Sequence, residues 1–456
     1  MVIMNLLKNK GNILIILILA LNLAIWLISK TYYNDPFASP FKYVAKVASL
    51  TSTLMMVMAL ILTTRLNVLE YLFGGLDKVY KAHHTVARWS FTIILLHPIF
   101  LALVDMKSFF NYWIPNFDNQ YNVGHAVGLF ALLAYFGLLY ITLSKKIEYE
   151  LWKASHSWFG TLFAVIITHI LLVNGDIAKY PAFSLWYNSW LILGLGAYVW
   201  TTFLSDKIGI KYDYIIDKIQ KVDVFYELEL VPVNKAMMYK PGQFVYTQFI
   251  ADGLELERHP YSIASNNSDG RIKLGIKELG DYTKQLGVLK QGGKVEVKGP
   301  FGALSDKIIM NPTKEVVLIG AGVGVTPMVG IWDYCLSNTR AKCTMIYIST
   351  FLPQASFDND FQDIISTKGI GNNDYWLYLD EGKNFITTPM INNRLGNLDN
   401  KLFIICGPKR MMDGTVKGLQ EAGVKNINIV VEDFDFGIGS GNWFTHFDPI
   451  KNFVRK

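Results

Sequence analysis

Long apolar runs fill this chain as far as Leu204, and no other feature of the sequence limits its fold as strongly. Each run is close to the length of about 20 residues that a helix needs to cross a bilayer. The first run follows Lys8 and Lys10, as in a signal peptide, but no small-residue cleavage site follows it, which favours a retained anchor. The sequence predicts six transmembrane helices, at approximately Asn12–Ser29, Val44–Thr64, Thr85–Val104, Val123–Leu143, Ser157–Val173 and Leu185–Leu204.

The basic residues of the connecting loops predict the orientation of this bundle. One side carries the larger set, formed by Lys8, Lys10, Arg65, Lys78, Lys81, Lys145, Lys146, Lys153, Lys207 and Lys211. The other side carries Lys30, Lys42, Lys107 and Lys179. The positive-inside rule makes the richer side cytoplasmic, so both termini and the carboxy-terminal half are predicted to be cytosolic.

Charge and cysteine content narrow the class of protein further. The formal net charge is +6, and the basic loops account for it, so no nucleic-acid partner is needed. Cys335, Cys343 and Cys406 all fall in the predicted cytosolic half, which indicates no disulfide framework.

Histidines stand at both ends of the third and fifth apolar runs. Ionisable side chains are costly inside a bilayer, and those that occur there usually serve function. Along a helix, His83 and His97 lie about 21 Å apart, and His156 and His169 lie about 19.5 Å apart. The third and fifth helices run parallel, so His83 pairs with His156 near the cytoplasm and His97 pairs with His169 farther out. The pairs predict two stacked haems, although histidines hydrogen-bonded between helices are the alternative.

The helical phase fits one histidine pair better than the other. The rotation around the helix axis from His83 to His97 falls about 40° short of a whole number of turns, so the two side chains lie on the same face of the helix. From His156 to His169 it falls about 140° short, so this pair needs a distorted turn or a different approach to the haem edges. Two axial imidazoles leave no open position for oxygen at the iron, which favours electron transfer.

Three polar residues near these runs have other predicted roles. His84 points about 100° away from His83, so it is predicted to be a neighbour of the ligand. Arg88 is predicted to meet either a haem propionate or an acidic side chain. His125 opens the fourth run without a matching histidine, which predicts a structural or interfacial role.

From about Ile210 the pattern changes to short alternating strands separated by Gly and Pro, which predicts an antiparallel β-barrel. The expected strands are Tyr212–Ile216, Phe225–Val231, Phe244–Phe249, Arg271–Ile276 and Lys294–Lys298.

The sequence RHPYSIAS, at residues 258–265, lies within this barrel. Alternate residues of a strand share a face, so Arg258, Pro260 and Ser262 point one way, and His259 and Tyr261 point the other. Such a cluster can stack on a flavin ring and hydrogen-bond its phosphates.

Two glycine-bounded motifs follow RHPYSIAS. The motif GDYTKQL places Thr283 at a predicted helix start, where free amides bind phosphate. The motif GPFG, at residues 299–302, is predicted to be a turn that closes the barrel.

After Pro312 a strand, a glycine loop and a helix predict an α/β nucleotide-binding domain. The strand Val316–Ile319 leads into a loop that allows the backbone to approach a pyrophosphate. The residues of this motif are Gly320, Gly322, Gly324, Thr326 and Pro327.

Further strands are expected at Thr344–Ser349 and Lys401–Ile405. The second leads into Cys406, Gly407 and Pro408, at a strand end where open parallel sheets bind ligands. Cys406 is predicted to lie beside a reacting nicotinamide or to be a small buried residue.

In this order, RHPYSIAS, GDYT, GPFG, GAGVGVTP and CGPKRMM resemble the ferredoxin–NADP reductase family. With six preceding helices and two histidine pairs, the chain resembles the NADPH oxidase and ferric reductase superfamily from its second helix to Phe436. The resemblance implies haem ligation by His83, His97, His156 and His169, flavin binding by residues 259–262, and nucleotide binding by residues 320–327. Phe434, in VVEDFDF, is implied to cover the flavin.

The implied domains are a di-haem membrane domain (1–208), a barrel for FAD (209–308), an NAD(P)-binding domain (309–436) and a tail (437–456). NADPH users of the superfamily commonly carry an arginine after the second strand of the nucleotide domain, where this chain reads STFLPQAS. NADH is therefore expected to serve at least as well as NADPH. The tail is expected to displace Phe434, to cap the nucleotide site or to have no ordered role.

The resemblance implies a transmembrane oxidoreductase. Cytosolic NADH or NADPH gives a hydride to FAD, and two b-type haems carry electrons to an acceptor outside. Oxygen giving superoxide is expected first, with a ferric chelate, cupric ion or quinone as alternatives. Two alternatives belong to other functional classes. In one, the helices form a haem-carrying transport or sensor module with a regulatory reductase. In the other, they form a haem-free anchor for a flavin reductase.

Overall fold

The computed structural model describes residues 9–104, 114–115, 117–144, 147, 149–173, 175–266, 269–339, 341–369, 373–383 and 385–433. The chain divides into two units between Gly209 and Ile210. The first unit is helical and contains α1 (Lys10–Tyr32), α2 (Pro40–Leu62), α3 (Asn67–Phe73), α4 (Leu76–Ile94), α5 (Leu96–Val104), α6 (Gln120–Leu143), α7 (Tyr149–Val173), α8 (Asp176–Lys179), α9 (Pro181–Val199) and α10 (Ser205–Ile208). A π-helical turn, Trp200–Leu204, joins α9 to α10.

Five helical segments among the described residues are long and apolar enough to cross a membrane. They are α1, α2, α4 together with α5, α6, and α7. The sixth predicted run falls in α9 and in the π-helical turn that follows it, and it is not among these five. The predicted bundle of apolar helices is thus confirmed, and the protein is a multi-pass membrane protein.

The third apolar segment is interrupted because it contains a proline. α4 ends at Ile94 and α5 begins at Leu96. The ring of Pro98 conflicts with the carbonyl four positions earlier, at Ile94, and its nitrogen has no hydrogen to donate. The break therefore falls between His83 and His97, whereas α7 is one continuous helix. The spacing of His156 and His169 predicts either a distorted turn or a different approach to the haem edges. No distorted turn is found in α7.

Small residues allow the helices to approach closely. The hydroxyl of Ser52 on α2 donates to the carbonyl of Ser90 on α4 at 2.7 Å, and Ser90 returns the bond at 2.8 Å. A Cβ added at Gly124 of α6 would lie 3.1 Å from Cβ of Leu172 on α7. Small residues and interhelical hydrogen bonds drive association where lipid removes the hydrophobic driving force.

The second unit begins with the predicted antiparallel barrel. Its strands are β1 (Tyr212–Val222), β2 (Phe225–Pro232), β3 (Phe244–Ile250), β4 (His259–Ser262), β5 (Ile272–Lys277) and β6 (Lys294–Phe301). They form a sheet in the order β4-β3-β6-β1-β2-β5. The amide of Ala264 donates to the carbonyl of Lys273 at 2.8 Å, which links the two edges of this sheet. A short helix, α11 (Asp281–Lys284), follows β5.

A five-stranded parallel sheet follows in the order β11-β10-β7-β8-β9. Its elements, in chain order after α12 (Asp306–Met310), are β7 (Val316–Ala321), α13 (Thr326–Asn338), β8 (Cys343–Ser349), α14 (Asp358–Lys368), β9 (Asp374–Leu379), α15 (Thr388–Leu395), β10 (Leu402–Cys406), α16 (Lys409–Glu421) and β11 (Ile429–Val431). The sequence predicts β7, β8 and β10. β9 and β11 are additional, and both are edge strands without a glycine loop to mark them.

One apolar cluster spans the barrel and the parallel sheet. Phe225 and Leu304 belong to the same buried cluster as Leu318. A Cβ added at Gly330 of α13 would lie 2.5 Å from the carbonyl oxygen of Ser265, so only glycine permits this approach. The second unit is therefore continuously packed across its two domains.

Candidate functional site

Three of the four predicted ligand histidines donate to backbone carbonyls of a neighbouring helix. The Nδ1–carbonyl pairs are His83 with Ala59 and His97 with Ala45, both at 2.9 Å, and His169 with Gly124, at 2.7 Å. A carbonyl only accepts, so Nδ1 carries the proton and Nε2 keeps its lone pair. Metal-ligating histidines are commonly held in this way by their second nitrogen.

His156 is held differently. Its Nδ1 is buried and has no hydrogen-bond partner among the residues that the structure describes. Its ring stacks on Trp152, with centroids 5.0 Å apart and an interplanar angle of 14°. The ring of His83 lies 6.2 Å away at 70°. The structure therefore brings His83 and His156 together.

The separation of the first pair suits a metal ion bound between the rings. A metal–imidazole bond is about 2 Å long and the nitrogen lies about 1 Å from the ring centre, so two opposite ligands have centroids about 6 Å apart. The observed 6.2 Å agrees. No cluster of three or more histidine, cysteine, aspartate or glutamate side chains suited to a metal occurs in the described ranges. A metal ion between His83 and His156 would therefore have these two rings as its protein ligands.

The other polar residues of the bundle lie near these pairs. His84 and Arg88 are half-buried on α4. The ring of His125 packs against Tyr121, with centroids 4.4 Å apart. The roles predicted for these three residues remain predictions.

Strand β4 carries residues 259–262 of RHPYSIAS at the edge of the barrel, and Arg258 precedes it. His259 and Tyr261 share a face, as predicted, with ring centroids 6.4 Å apart. His259 also stacks on Tyr282 at 4.0 Å, and its Nε2 lies 2.8 Å from the carboxylate of Glu257. Pro260 and Ser262 pair in register with Tyr246 and Phe244 of β3. The motif therefore presents two aromatic rings on one side of a short strand.

The tyrosine of this motif has an unsatisfied hydroxyl. The Tyr261 oxygen is buried without a hydrogen-bond partner in the described part of the chain. Burial raises the pKa of this phenol, which therefore remains a donor. An orphaned buried donor fits a bound group that accepts a hydrogen bond. Arg258, by contrast, pairs with Glu296 of β6, which also accepts from Lys211 at 2.9 Å.

Of the two motifs after RHPYSIAS, GDYT begins a helix, as predicted, whereas GPFG differs from its prediction. Thr283 is the third residue of α11, and its hydroxyl accepts from the amides of Leu279 and Gly280, each at 2.9 Å. Its side chain thus caps a one-turn helix. Residues 299–301 of GPFG belong to β6 instead of a separate turn. The reason is tertiary, because Phe301 pairs in register with Phe244 of β3.

The glycine loop meets the end of β10 at the carboxyl edge of the parallel sheet. Gly320 and Cys406 are paired in register on β7 and β10. A Cβ added at Gly324 would lie 2.4 Å from the amide nitrogen of Gly407. Gly322 has a φ of +55°, which glycine adopts at little cost. Because the strand order reverses between β7 and β10, this contact lies at the switch point where open sheets bind ligands.

The residues that flank this contact are mostly buried. Thr326 and Pro327 begin α13, as predicted, and the Thr326 hydroxyl has no hydrogen-bond partner among the described residues. Cys406 is 1% exposed and belongs to an apolar cluster, and its predicted contact with nicotinamide stays a prediction. Pro408 is the residue before α16. Phe434 and the tail 437–456 lie outside the described residues.

The end of β8 adjoins an acidic turn. The segment 349–356 contains no lysine or arginine. The amides of Asp380 and Glu381, which follow β9, donate to the carbonyls of Ser349 and Thr350 at 3.0 and 3.1 Å. Glu381 is exposed and has a φ of +49°. Two acidic residues therefore follow β9 beside the end of β8.

Sequence reasoning missed two residues that shape the histidine sites. A Cβ added at Gly128 of α6 would lie 2.6 Å from Cε1 and Nδ1 of His169. The GxxxG spacing of Gly124 and Gly128 in an apolar run was the available signal. Trp152 stands four positions before His156, a spacing that places side chains together on a helix.

Three family models match successive parts of the chain. “Ferric reductase like transmembrane component” matches residues 48–167, “FAD-binding domain” matches 219–304, and “Oxidoreductase NAD-binding domain” matches 318–417. The first match includes His83, His97 and His156. The matches follow the same order as the apolar helices, the barrel and the parallel sheet.

The chain is also similar to individual proteins. It is 26% identical over 222 residues to the flavohemoprotein of Vibrio cholerae, covering 45% of this chain and 54% of that protein. It is 24% identical over 214 residues to a superoxide-generating NADPH oxidase heavy chain of Dictyostelium discoideum, covering 42% and 39%. The chain thus spans about half or less of these relatives. A solved flavohemoglobin from Malassezia yamatoensis is 16% identical with a TM-score of 0.47, covering 86% of this chain and 98% of that one.

Proposed function

Because the chain belongs to the NADPH oxidase and ferric reductase superfamily, with a ferredoxin–NADP reductase-like half, we propose that it moves electrons from cytosolic NAD(P)H across a membrane to oxygen, giving superoxide. Its domains make it a membrane NAD(P)H oxidoreductase that uses FAD. The proposal adds three points to this statement. Two haems are each held by two histidines, NAD(P)H is used on the cytosolic side, and oxygen is the acceptor. The basic loops support the orientation.

The observation that carries the haem part is the arrangement of the histidine pairs. Three of the rings have Nδ1 bound to a carbonyl, which leaves Nε2 for a metal, and the rings of His83 and His156 are 6.2 Å apart. In this proposal His83 and His156 hold the inner haem, and His97 and His169 hold the outer one. Arg88 remains a candidate for a propionate.

FAD converts two-electron hydride chemistry into one-electron steps, which bis-histidine haems carry without binding oxygen at iron. The chain's own residues bind and orient. His259 and Tyr261 present their rings and the orphaned phenol to the flavin. The loops that meet at Gly324 and Gly407 bring backbone amides to the nucleotide, whose pyrophosphate is favoured at the start of α13.

A vesicle experiment tests the proposed acceptor. Membrane vesicles of known orientation receive NADH, oxygen and a ferric chelate, and superoxide and ferrous iron are measured separately. Superoxide on the side opposite NADH is expected, with iron reduction that superoxide dismutase suppresses. Iron reduction that persists without oxygen and despite dismutase would favour a ferric chelate reductase, the second candidate, which the match to the ferric reductase component supports.

Alanine at His83 or His156 is expected to remove one haem, and alanine at His97 or His169 is expected to remove the other. Reduction of a soluble dye by NADH should remain, because the flavin and nucleotide sites lie in the second unit. Haem per FAD and reduced-minus-oxidised spectra of the purified variants measure this. His84→Ala is the matched control. Loss of haem in that variant, with His83→Ala intact, would exchange the two assignments.

NADH is expected to be used at least as well as NADPH. A guanidinium would hold the 2′-phosphate by paired charged hydrogen bonds, and one such bond contributes about 1.5–3 kcal/mol. Its absence removes roughly a ten- to hundredfold preference, and the carboxylates of Asp380 and Glu381 oppose a phosphate further.

The ratio of kcat/KM for the two nucleotides tests this expectation in the wild type and in Phe351→Arg. The arginine variant should shift the ratio towards NADPH, whereas Met310→Arg, at a side chain 72% exposed on α12, should not. A wild-type preference of tenfold or more for NADPH would contradict the argument from the missing arginine.

A further inference from the structure

One histidine of the two pairs lacks the support that the others have. His83, His97 and His169 each donate Nδ1–H to a backbone carbonyl of α2 or α6. His156 has no such partner within the part of the chain that the structure describes, although its Nδ1 is buried. A carbonyl bond normally fixes both the tautomer and the rotation of a ligand ring. Something else must therefore hold the ring of His156.

Trp152 occupies the position that can do so. It lies one helical turn before His156 on α7, where side chains four positions apart are neighbours. The two rings are nearly parallel, at 14° and 5.0 Å between centroids, which is a stacking arrangement. Phe159 closes the edge of the imidazole at 5.2 Å and 61°. The imidazole is thus enclosed by one aromatic face and one aromatic edge.

The indole is itself anchored to the neighbouring helix. Its Nε1–H donates to the carbonyl of Thr142, in the last turn of α6, at 3.2 Å. α6 is also the helix whose Gly124 carbonyl holds His169. The same helix pair therefore supports one histidine directly through a carbonyl and the other indirectly through an aromatic ring.

We propose that Trp152 is the positioning residue for His156, holding by ring stacking an axial ligand that lacks the backbone hydrogen bond of its three counterparts. This inference rests on the proposed function, because it concerns the inner haem. It also makes the two haem sites unequal. The Nδ1–carbonyl bond raises ligand basicity, and only one of the two inner ligands has it, whereas both outer ligands do.

The test uses the full-length purified protein and three variants. Trp152→Leu removes the stacking ring but keeps an apolar side chain. Trp152→Phe keeps a ring and removes only the N–H donor. Trp158→Leu is the matched control, because Trp158 lies on the same helix and is 59% exposed. The readouts are haem per FAD, the reduced-minus-oxidised spectrum, and a redox titration that resolves the two haems.

Trp152→Leu is expected to weaken inner-haem retention by about 10–100-fold, as is typical when the support of a metal ligand is removed. Haem per FAD should fall towards one, and the midpoint potential of the remaining haem should stay at its wild-type value. Trp152→Phe should retain both haems with a shifted potential for the inner one alone. Trp158→Leu should match the wild type.

Two haems with unchanged potentials in Trp152→Leu would overturn the inference, as would equal haem loss in Trp158→Leu. If Trp152→Leu does not accumulate, loss of the inner haem in Trp152→Phe, which keeps a stacking ring, has the same consequence. Failure of the proposed function looks different, because the wild-type protein would then show no bis-histidine spectrum. Retention of both haems in His156→Ala would remove the ligand assignment on which the inference depends.

Discussion

Alanine in place of Gly128 is expected to displace the outer haem although no proposed ligand is replaced. Its Cβ would lie 2.6 Å from two ring atoms of His169, whose Nδ1 is held 2.7 Å from the carbonyl of Gly124. The ring must rotate and lose that bond, or the helices must separate. Overpacking of this kind costs about 1–3 kcal/mol, which corresponds to roughly five- to hundredfold weaker haem retention.

Haem per FAD and the difference spectrum of purified Gly128→Ala measure this effect. Gly137→Ala is the matched control, because it is the same substitution on the same helix and nothing lies within 4 Å of the added Cβ. It should retain both haems. A Gly128→Ala protein with full haem content and an unaltered spectrum would contradict the contact between α6 and His169.

Alanine in place of Gly324 is expected to abolish most NAD(P)H-driven reduction. The added Cβ would lie 2.4 Å from the amide nitrogen of Gly407 and 2.5 Å from the carbonyl carbon of Cys406. Both are backbone atoms, so the two loops must part. A cost of about 1–3 kcal/mol in the nucleotide complex lowers kcat/KM by up to roughly a hundredfold.

The kcat/KM for NADH, with a soluble dye as acceptor, measures this effect, and FAD content and chemical reduction by dithionite should remain normal. Gly414→Ala, in α16, is the matched control because its added Cβ meets nothing within 4 Å. If Gly324→Ala kept its kcat/KM within twofold of the wild type, the loops would not need their observed contact to bind the nucleotide.

Periodicity predicted the elements whose signal is local. The apolar runs became α1, α2, α4 with α5, α6, α7 and α9, and the alternating segments became barrel strands. Each element depends on its own run of residues and on the medium around it, so the sequence contains the information directly. The glycine loop after β7 and the proline at the start of α13 were predictable for the same reason.

The predictions that differed depended on partners distant in the chain. GPFG reads as a turn, but Phe301 pairs with Phe244 of β3, so its residues extend β6. The sequence leaves Cys406 open between a contact of the nicotinamide and a small buried residue, and only the tertiary structure places its side chain in the cluster that contains Leu318. β9 and β11 follow no glycine loop, and only their neighbours in the sheet define them.

The sequence by itself determined which ionisable side chains lie in apolar runs and the order in which the motifs occur. The tertiary structure decided which nitrogen of His83, His97 and His169 is engaged, because the accepting carbonyls stand 24, 52 and 45 positions away. It also decided that His156 rests on Trp152 and that Gly128 and Gly324 are contact positions. A hydrogen bond or a steric contact between distant residues exists only once the helices and strands have packed, and no local pattern encodes its geometry.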